Sequence, residues 1–163
     1  MVDTDPKDAI ISNIKRRCRN QDMIEVCIVG QFKNKRFVES VSELMLENII
    51  PSKLRRNVTV DVQIHNALEE QAGGYCWGDK HHIDIELART SNGYNFERDE
   101  ILINLTHELI HAKQFLSGEL SGSSMRWKKA DYSKVSYSHQ PWEREAYYWE
   151  ERLFKQYFEK LDA

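Results

Sequence analysis

The chain has 163 residues, of which 40% are hydrophobic and 30% charged, and this composition suits one globular domain with an adequate core. Residues 1–7 are polar and acidic, and no apolar run is long enough to span a bilayer, so a membrane protein is not expected and the predicted location is the cytoplasm. The three cysteines form no Cys-x-x-Cys pair, and this pattern indicates neither a disulfide framework nor a cysteine zinc finger.

The net charge of −3 is distributed unevenly along the chain. Residues 1–60 carry eleven basic and eight acidic side chains, a balance of +3, whereas the remainder carries a balance of −6. Basic clusters at residues 15–17, 33–36 and 53–56 are compatible with a nucleic acid or an acidic partner, although such clusters are more often solvated faces.

Hydrophobic periodicity predicts four elements in the first 65 residues. Ile10, Ile11 and Ile14 share one face of a helix that Pro6 opens. Strict alternation of apolar and polar residues indicates a half-buried strand after Pro51. The predicted elements are a helix over residues 6–19, a strand over 24–29, a helix over 37–49 and a strand over 58–64.

A hairpin and a helix are predicted next. Residues 73–79 and 81–87 form the two strands of the hairpin, with a tight turn at residues 78–80. Asn95 is predicted to cap the following helix, whose acidic first turn suits the positive end of the helix dipole. Gly118 is predicted to end that helix.

The last part of the chain is predicted to contain a long loop and one helix. Residues 119–140 have no helical period, and a loop of this length in a small domain is uncommon unless it is functional or mobile. Pro141 opens a final helix that carries one apolar stripe. The stripe consists of Trp142, Trp149, Leu153 and Tyr157.

The most informative segment lies in the helix before Gly118, and it reads His107-Glu108-Leu109-Ile110-His111. Two histidines four residues apart point to the same side of a helix, and the acid after the first lies beside them. This spacing predicts a bound zinc ion and places Glu108 as a general base next to the water on that ion. The segment is largely apolar, and polar side chains in a buried helix need partners such as a metal ion.

A catalytic zinc ion usually has three protein ligands, so a third ligand must lie elsewhere. One class of zinc peptidase has a glycine at position 114 and a histidine at position 117; Gln114 and Ser117 stand there and exclude that class. We predict Glu143 on the last helix, because small Ala146 one turn later lets the two helices approach closely. The alternatives are Glu145 first, and then His139, Asp131 and Cys76.

These segments resemble the small zincin-type metallopeptidases, and the most similar groups are the SprT-like proteins and the compact phage-encoded zincins. The resemblance covers residues 73–150 and rests on residues 106–114, on the Ile-x-Ile strand before them, and on residues 143–146. The last segment matches the Glu-x-x-Ala spacing of zincins that use a glutamate ligand. The resemblance implies an α+β fold with one zincin-like domain over residues 1–163, in which a small twisted mixed sheet, an active-site helix and a C-terminal helix pack together.

The resemblance also implies a function, which is hydrolysis of peptide bonds in a protein or peptide substrate. Zn²⁺ would be held by His107, His111 and Glu143, and Glu108 would take a proton from water. The strand over residues 81–87 is expected to be the sheet edge that holds an extended peptide.

Two supporting roles are left open by the sequence. The donor that stabilises the oxyanion is expected among Tyr132, Tyr137 and His139 in the segment before Glu143. Asp84 or another acid is expected to orient a ligand histidine.

Two other functions use the same residues. One is a different metal-dependent amidase, and the other is a non-catalytic or DNA-associated zinc-binding protein of the SprT-like type. Glu108 distinguishes them from each other, because a purely structural zinc site has no need of an acid at that position. The sequence does not predict an oligomeric state.

Overall fold

The computed structural model describes residues 23–121 and 125–159. Within these ranges the fold is a mixed α+β arrangement of three helices and small sheets, and none of the three helices is long and apolar enough to cross a bilayer. The predicted helix over residues 6–19 lies outside the described residues. The main elements are β1 (Glu25–Val29), α1 (Lys35–Ile49), β2 (Thr59–His65), β3 (Gly74–Gly78), β4 (His82–Ala88), α2 (Arg98–Leu116) and α3 (Pro141–Tyr157).

The sheet has the strand order β1-β2-β4-β3. Strands β1, β2 and β4 are parallel, and β3 pairs antiparallel with β4 as the predicted hairpin. The predicted strands over residues 24–29 and 58–64 and the predicted helix over 37–49 are therefore confirmed within a residue or two.

The edge strand was predicted wrongly. Residues 81–87 correspond to β4, which lies between β2 and β3, and the edge beside β4 is β3. Ile83 and Ile85 are fully buried because β4 is paired on both sides and covered by the helices. Alternation shows that a strand has one buried face, but it does not show whether a strand pairs on one side or two.

One face of the sheet packs against α1 and α2. The side chains of Val26, Val60 and Ile85 alternate with polar neighbours that point away from the helices, as expected for strands with one covered face. Helix α2 is buried on most of its circumference, because the sheet, α1 and α3 all contact it. It is therefore the central element of the domain.

The start of α2 differs from the prediction. Its N-cap is Glu97, which forms a reciprocal capping box with Glu100, whereas Asn95 lies in the short strand β6 (Tyr94–Asn95) that pairs with β5 (Thr90–Ser91). Asn95 is the residue type that usually caps, but its backbone is already used in this small hairpin. Gly118 ends the helix in a left-handed conformation with φ 73, as predicted.

The segment before α3 is more ordered than a loop. It contains three two-residue strands, β7 (Leu120–Ser121), β8 (Arg126–Trp127) and β9 (Ala130–Asp131), and a 3₁₀ turn at Tyr137–His139. Strands of two residues are too short to leave a periodic pattern in the sequence. Trp127 is buried in this small sheet and lies against Trp142 of α3, with ring centroids 6.4 Å apart.

Helix α3 begins at Pro141, as predicted, and packs along α2. Its buried face contains Trp142 and Leu153 of the predicted stripe, but Trp149 is 42% exposed at the flank. Glu143 and Ala146 occupy the centre of the buried face instead. Glu143 therefore faces α2, where the sequence analysis placed it.

Candidate metal centre

The two histidines of α2 converge on one point. The Nε2 atoms of His107 and His111 lie 3.1 Å apart, and both residues are buried. The four-residue spacing produces this convergence, because side chains one turn apart on a helix stack on the same face.

The other ring nitrogen of each histidine is held by an oxygen atom. Nδ1 of His107 lies 2.7 Å from Oε2 of Glu150, and Nδ1 of His111 lies 2.8 Å from Oε1 of Gln114. The Gln114 amide is oriented by its own Nε2, which donates to the carbonyl of Trp142 at 3.0 Å. Since a carboxylate and an amide oxygen only accept, the Nδ1 atoms carry hydrogens, and each Nε2 faces the other histidine and Glu143.

Glu143 completes the cluster from the first turn of α3. Its Oε2 lies 3.3 Å from Nε2 of His107, and its Oε1 lies 3.4 Å from Nε2 of His111. Ala146 is fully buried one turn later, which is consistent with the close helix approach that the sequence predicted. Glu145 points elsewhere and forms an ion pair with Lys113 at 2.8 Å.

The other candidates for the third ligand, His139, Asp131 and Cys76, do not place a donor atom beside the Nε2 atoms of the two histidines. His139 shares a hydrogen bond with Ser136, and Asp131 is exposed and accepts from the backbone of Ser133. Cys76 lies on β3 and lines the cavity at the site, but burial raises the pKa of its thiol well above its ordinary value, with smaller contributions from Glu108 and Asp84.

The donor set fits a transition-metal ion. One ligand atom from each of His107, His111 and Glu143 lies within 4.8 Å of the other two. Two imidazole nitrogens and one carboxylate oxygen are a donor set that catalytic zinc sites use, and they leave a fourth position open. A second group with similar spacing consists of Asp61, His82 and Asp84, which lie on the opposite face of the sheet.

The pKa values of the cluster are shifted because its ionisable groups lie close together and are buried. Burial lowers the pKa of His107, but hydrogen bonds to Glu143 and Glu150 outweigh it and raise this pKa to about 9. Burial raises the pKa of Glu143, but hydrogen bonds from His107 and His111 outweigh it and lower this pKa to about 2. Both shifts favour a protonated histidine beside an ionised Glu143, so a proton takes the place of the positive charge that a metal ion would bring.

Glu108 lies between α2 and the edge strand. A Cβ atom on Gly74 would come within 2.8 Å of Oε1 of Glu108, so the glycine lets the carboxylate lie directly against the β3 backbone. Burial raises the pKa of Glu108 to about 7, while the positive histidines lower it. Glu108, both histidines and Glu143 share a cavity of about 270 Å³ with residues of β3.

The aromatic residues before α3 differ in their placement. The Tyr137 hydroxyl donates to Oε2 of Glu143 at 2.8 Å, and its own pKa is raised above its ordinary value by burial and by Tyr147 and Glu143. Tyr132 instead packs edge-on against Trp142, with ring centroids 6.0 Å apart. Of the three predicted oxyanion donors, Tyr137 is therefore the one whose hydroxyl contacts the cluster.

Sequence reasoning missed three residues of the site. Glu150 is seven residues after Glu143, which places both acids on the same face of α3, and Gln114 is three residues after His111 on α2. These helical spacings were the available signals. Tyr147 packs its ring edge-on against His107 at 4.7 Å. Asp84, which was considered as an orienting acid, contacts His82 instead.

Comparisons with known proteins found no matching family model, no matching curated protein and no matching solved structure.

Proposed function

We propose that this protein is a zinc-dependent metallopeptidase with a zincin-like fold. The observation that carries the proposal is the orientation of the two imidazoles. Their Nδ1 atoms are hydrogen-bonded to Glu150 and Gln114. Their Nε2 atoms lie 3.1 Å apart beside the Glu143 carboxylate. A neutral imidazole oriented in this way is a metal ligand, because its free lone pair and the fixed opposite N–H favour binding of a cation.

The bound ion would supply a water of lowered pKa and would polarise the carbonyl of the scissile bond. Glu108 would accept a proton from that water at Oε1 or Oε2 and donate it to the leaving amine. Its position supports this role, since it lies beside both histidines and is buried, yet within the described residues it forms no hydrogen bond or ion pair that would occupy its oxygens. A pKa near 7 suits proton exchange at neutral pH.

The substrate would lie along β3. This strand is the sheet edge, and Gly74 places its backbone in contact with Glu108. An extended peptide can hydrogen-bond to such an edge through its backbone, which binds many sequences with similar affinity. The Tyr137 hydroxyl lines the same cavity, where it would donate to the developing oxyanion.

A second cavity next to the cluster would hold one substrate side chain. It has a volume of about 220 Å³, shares His111 and Glu143 with the cluster, and is otherwise lined mainly by apolar groups, including Trp77 and Phe115. A cavity of roughly 150 Å³ is enough for a benzene ring in an apolar protein interior. This cavity therefore favours a substrate with a large apolar residue beside the scissile bond.

The test of the proposal is Glu108→Gln, with Asp99→Asn on the same helix as a matched control. We expect both variants to fold and to retain one zinc ion per chain. Cleavage of a labelled unfolded protein should fall about 10²- to 10⁴-fold in Glu108→Gln only, because the general base is lost. Undiminished cleavage by Glu108→Gln would contradict the proposed mechanism.

A further inference from the structure

A second group of metal-ligand side chains lies on the face of the sheet that points away from the helices. It consists of Asp61 on β2 and of His82 and Asp84 on β4, and we call it the sheet-face site. Strand alternation turns these three side chains outward, because their sequence neighbours Val62 and Ile83 are buried on the side of α1 and α2. The sheet therefore separates this group from the candidate metal centre.

The strand register brings the three ligand residues together. Asp61 and Asp84 are direct partners in the parallel pair of β2 and β4, and Thr59 is the direct partner of His82. Two carboxylates at directly opposed positions repel each other, so a cation between them is favourable. Buried residues of the same strands fix this register, and the site is therefore built on a rigid part of the fold.

The distances between the donor atoms suit a single metal ion. Nε2 of His82 lies 3.2 Å from Oδ1 of Asp84 and 3.7 Å from Oδ2 of Asp61. One ligand atom from each residue lies within 4.8 Å of the other two. Ligand atoms at about 2.0–2.2 Å from a tetrahedral zinc ion are roughly 3.4 Å from one another. Small rotations of the two aspartate side chains are therefore sufficient for all three residues to bind one ion.

The ring of His82 is oriented by a hydroxyl group. Its Nδ1 atom lies 2.8 Å from Oγ1 of Thr59. A hydroxyl oxygen can accept the hydrogen of Nδ1, and Nε2 then directs its lone pair towards both carboxylates. A hydrogen bond at the nitrogen that does not bind the metal is the usual means of positioning a ligand histidine. Thr59 is therefore a positioning residue of the sheet-face site.

Basic side chains do not compete for the two carboxylates in the part of the chain that the structure describes. The four strands of the sheet contain no lysine and no arginine. Among the described residues, His82 is the only ion-pair partner of Asp61 and of Asp84. The three side chains are 37–46% exposed, so a hydrated ion can reach them and keep water as its remaining ligands.

We propose that the sheet-face site binds one divalent transition-metal ion. One imidazole nitrogen and two carboxylate oxygens suit Zn²⁺ and similar ions, whereas Ca²⁺ and Mg²⁺ are bound through oxygen atoms alone. The bound ion links β2 to β4, which is the neighbour of the edge strand β3. Binding is weaker than at the candidate metal centre, because exposed side chains lose more conformational freedom when they bind an ion.

The experiment is calorimetric titration of the intact, dialysed protein with Zn²⁺. We expect the wild type to take up one equivalent beyond any ion retained through dialysis, and this uptake should be lost in His82→Ala and in Asp84→Asn. Thr59→Val keeps the β-branched shape without the hydroxyl and should weaken the uptake about 10- to 100-fold. His65→Ala is the matched control, because His65 lies beside Glu86 on the same face of the sheet and outside the site.

Three results would overturn the proposal. The first is no zinc uptake beyond the ion retained through dialysis. The second is an equal loss of affinity in His65→Ala, which would show nonspecific attraction to the acidic side chains of this face. The third is an unchanged affinity in both His82→Ala and Asp84→Asn. Thermal unfolding of each variant separates loss of binding from loss of folding.

The same titration distinguishes this proposal from that of the candidate metal centre. Zinc retained through dialysis reports on the metal centre, and the further uptake reports on the sheet-face site. Protein that retains no zinc through dialysis but takes up one equivalent that depends on His82 would support the sheet-face site and contradict the metal centre.

Discussion

Glu150 has no direct contact with the proposed ion, but its carboxylate fixes the ring of His107. Glu150→Ala removes the acceptor at Nδ1, so the ring can rotate or carry its hydrogen on Nε2. We expect zinc affinity to fall about 10- to 100-fold, as is typical for residues that orient a ligand histidine. Competition with a chelator measures this affinity. The neighbouring exposed acid gives the control variant Glu151→Ala, and equal affinities of the two variants would contradict the role of Glu150.

The candidate ligands were predictable from the sequence, and the residues that orient them were not. His107, Glu108 and His111 stand in one pattern with a known helical geometry, and Glu143 was preferred over Glu145 because of Ala146. Glu150 and Gln114 act through contacts that depend on the rotation of α3 about its axis. A single sequence gives the spacing along a helix but not the direction in which each side chain points.

At the scale of elements, the contact between α2 and β3 positions Glu108, the proposed general base. Gly74→Ala would place a Cβ atom 2.8 Å from Oε1 of Glu108 and displace the carboxylate. We expect kcat/KM to fall about 10²-fold with zinc content unchanged, since a displacement of about 1 Å can cost that much.

Gly73→Ala is the matched control for this change, because its Cβ atom would meet Asn104 instead of Glu108. Both variants should lose some thermal stability. Full activity in Gly74→Ala would contradict the position assigned to Glu108.

Strand β3 also contributes Trp77 to the cavity of about 220 Å³ next to the cluster, and this side chain is 47% exposed. Trp77→Ala should leave the fold intact and reduce the preference for a large apolar residue over alanine beside the cleaved bond. A change of roughly 10-fold is expected for the loss of one apolar wall.

Cleavage of a peptide series that varies only this residue measures the preference. Trp149→Ala, an exposed tryptophan outside this cavity, is the control. An unchanged preference in Trp77→Ala would assign substrate selection to another surface.

The elements that sequence predicted well are those with a long buried face. Residues of β2 and α1 repeat with a clear period, so their existence and limits followed directly. The position of β3 at the edge, the Glu97 cap and strands β7 to β9 depend on tertiary pairing, which leaves little trace in short segments. Hence the hairpin was predicted, but the identity of its outer strand was not.

For the whole molecule, the proposed ion would join α2 to α3. Chelation should lower the stability of the folded state, because binding to the native state alone contributes about 2.7 kcal/mol at a free zinc concentration one hundred times Kd. This corresponds to a decrease in Tm of roughly 5–10 °C for a chain of this size. Differential scanning calorimetry with and without chelator measures it. Glu143→Gln should show a much smaller decrease, and an equal decrease would place the ion elsewhere.

The most direct test is the zinc content of the purified protein, measured by native mass spectrometry for the wild type, Glu143→Ala and Glu145→Ala. His107, His111 and Glu143 predict one ion in the wild type, one in Glu145→Ala, and none retained through dialysis in Glu143→Ala. A folded wild-type protein that takes up no zinc on titration, or an ion lost only in Glu145→Ala, would contradict the proposed metal centre.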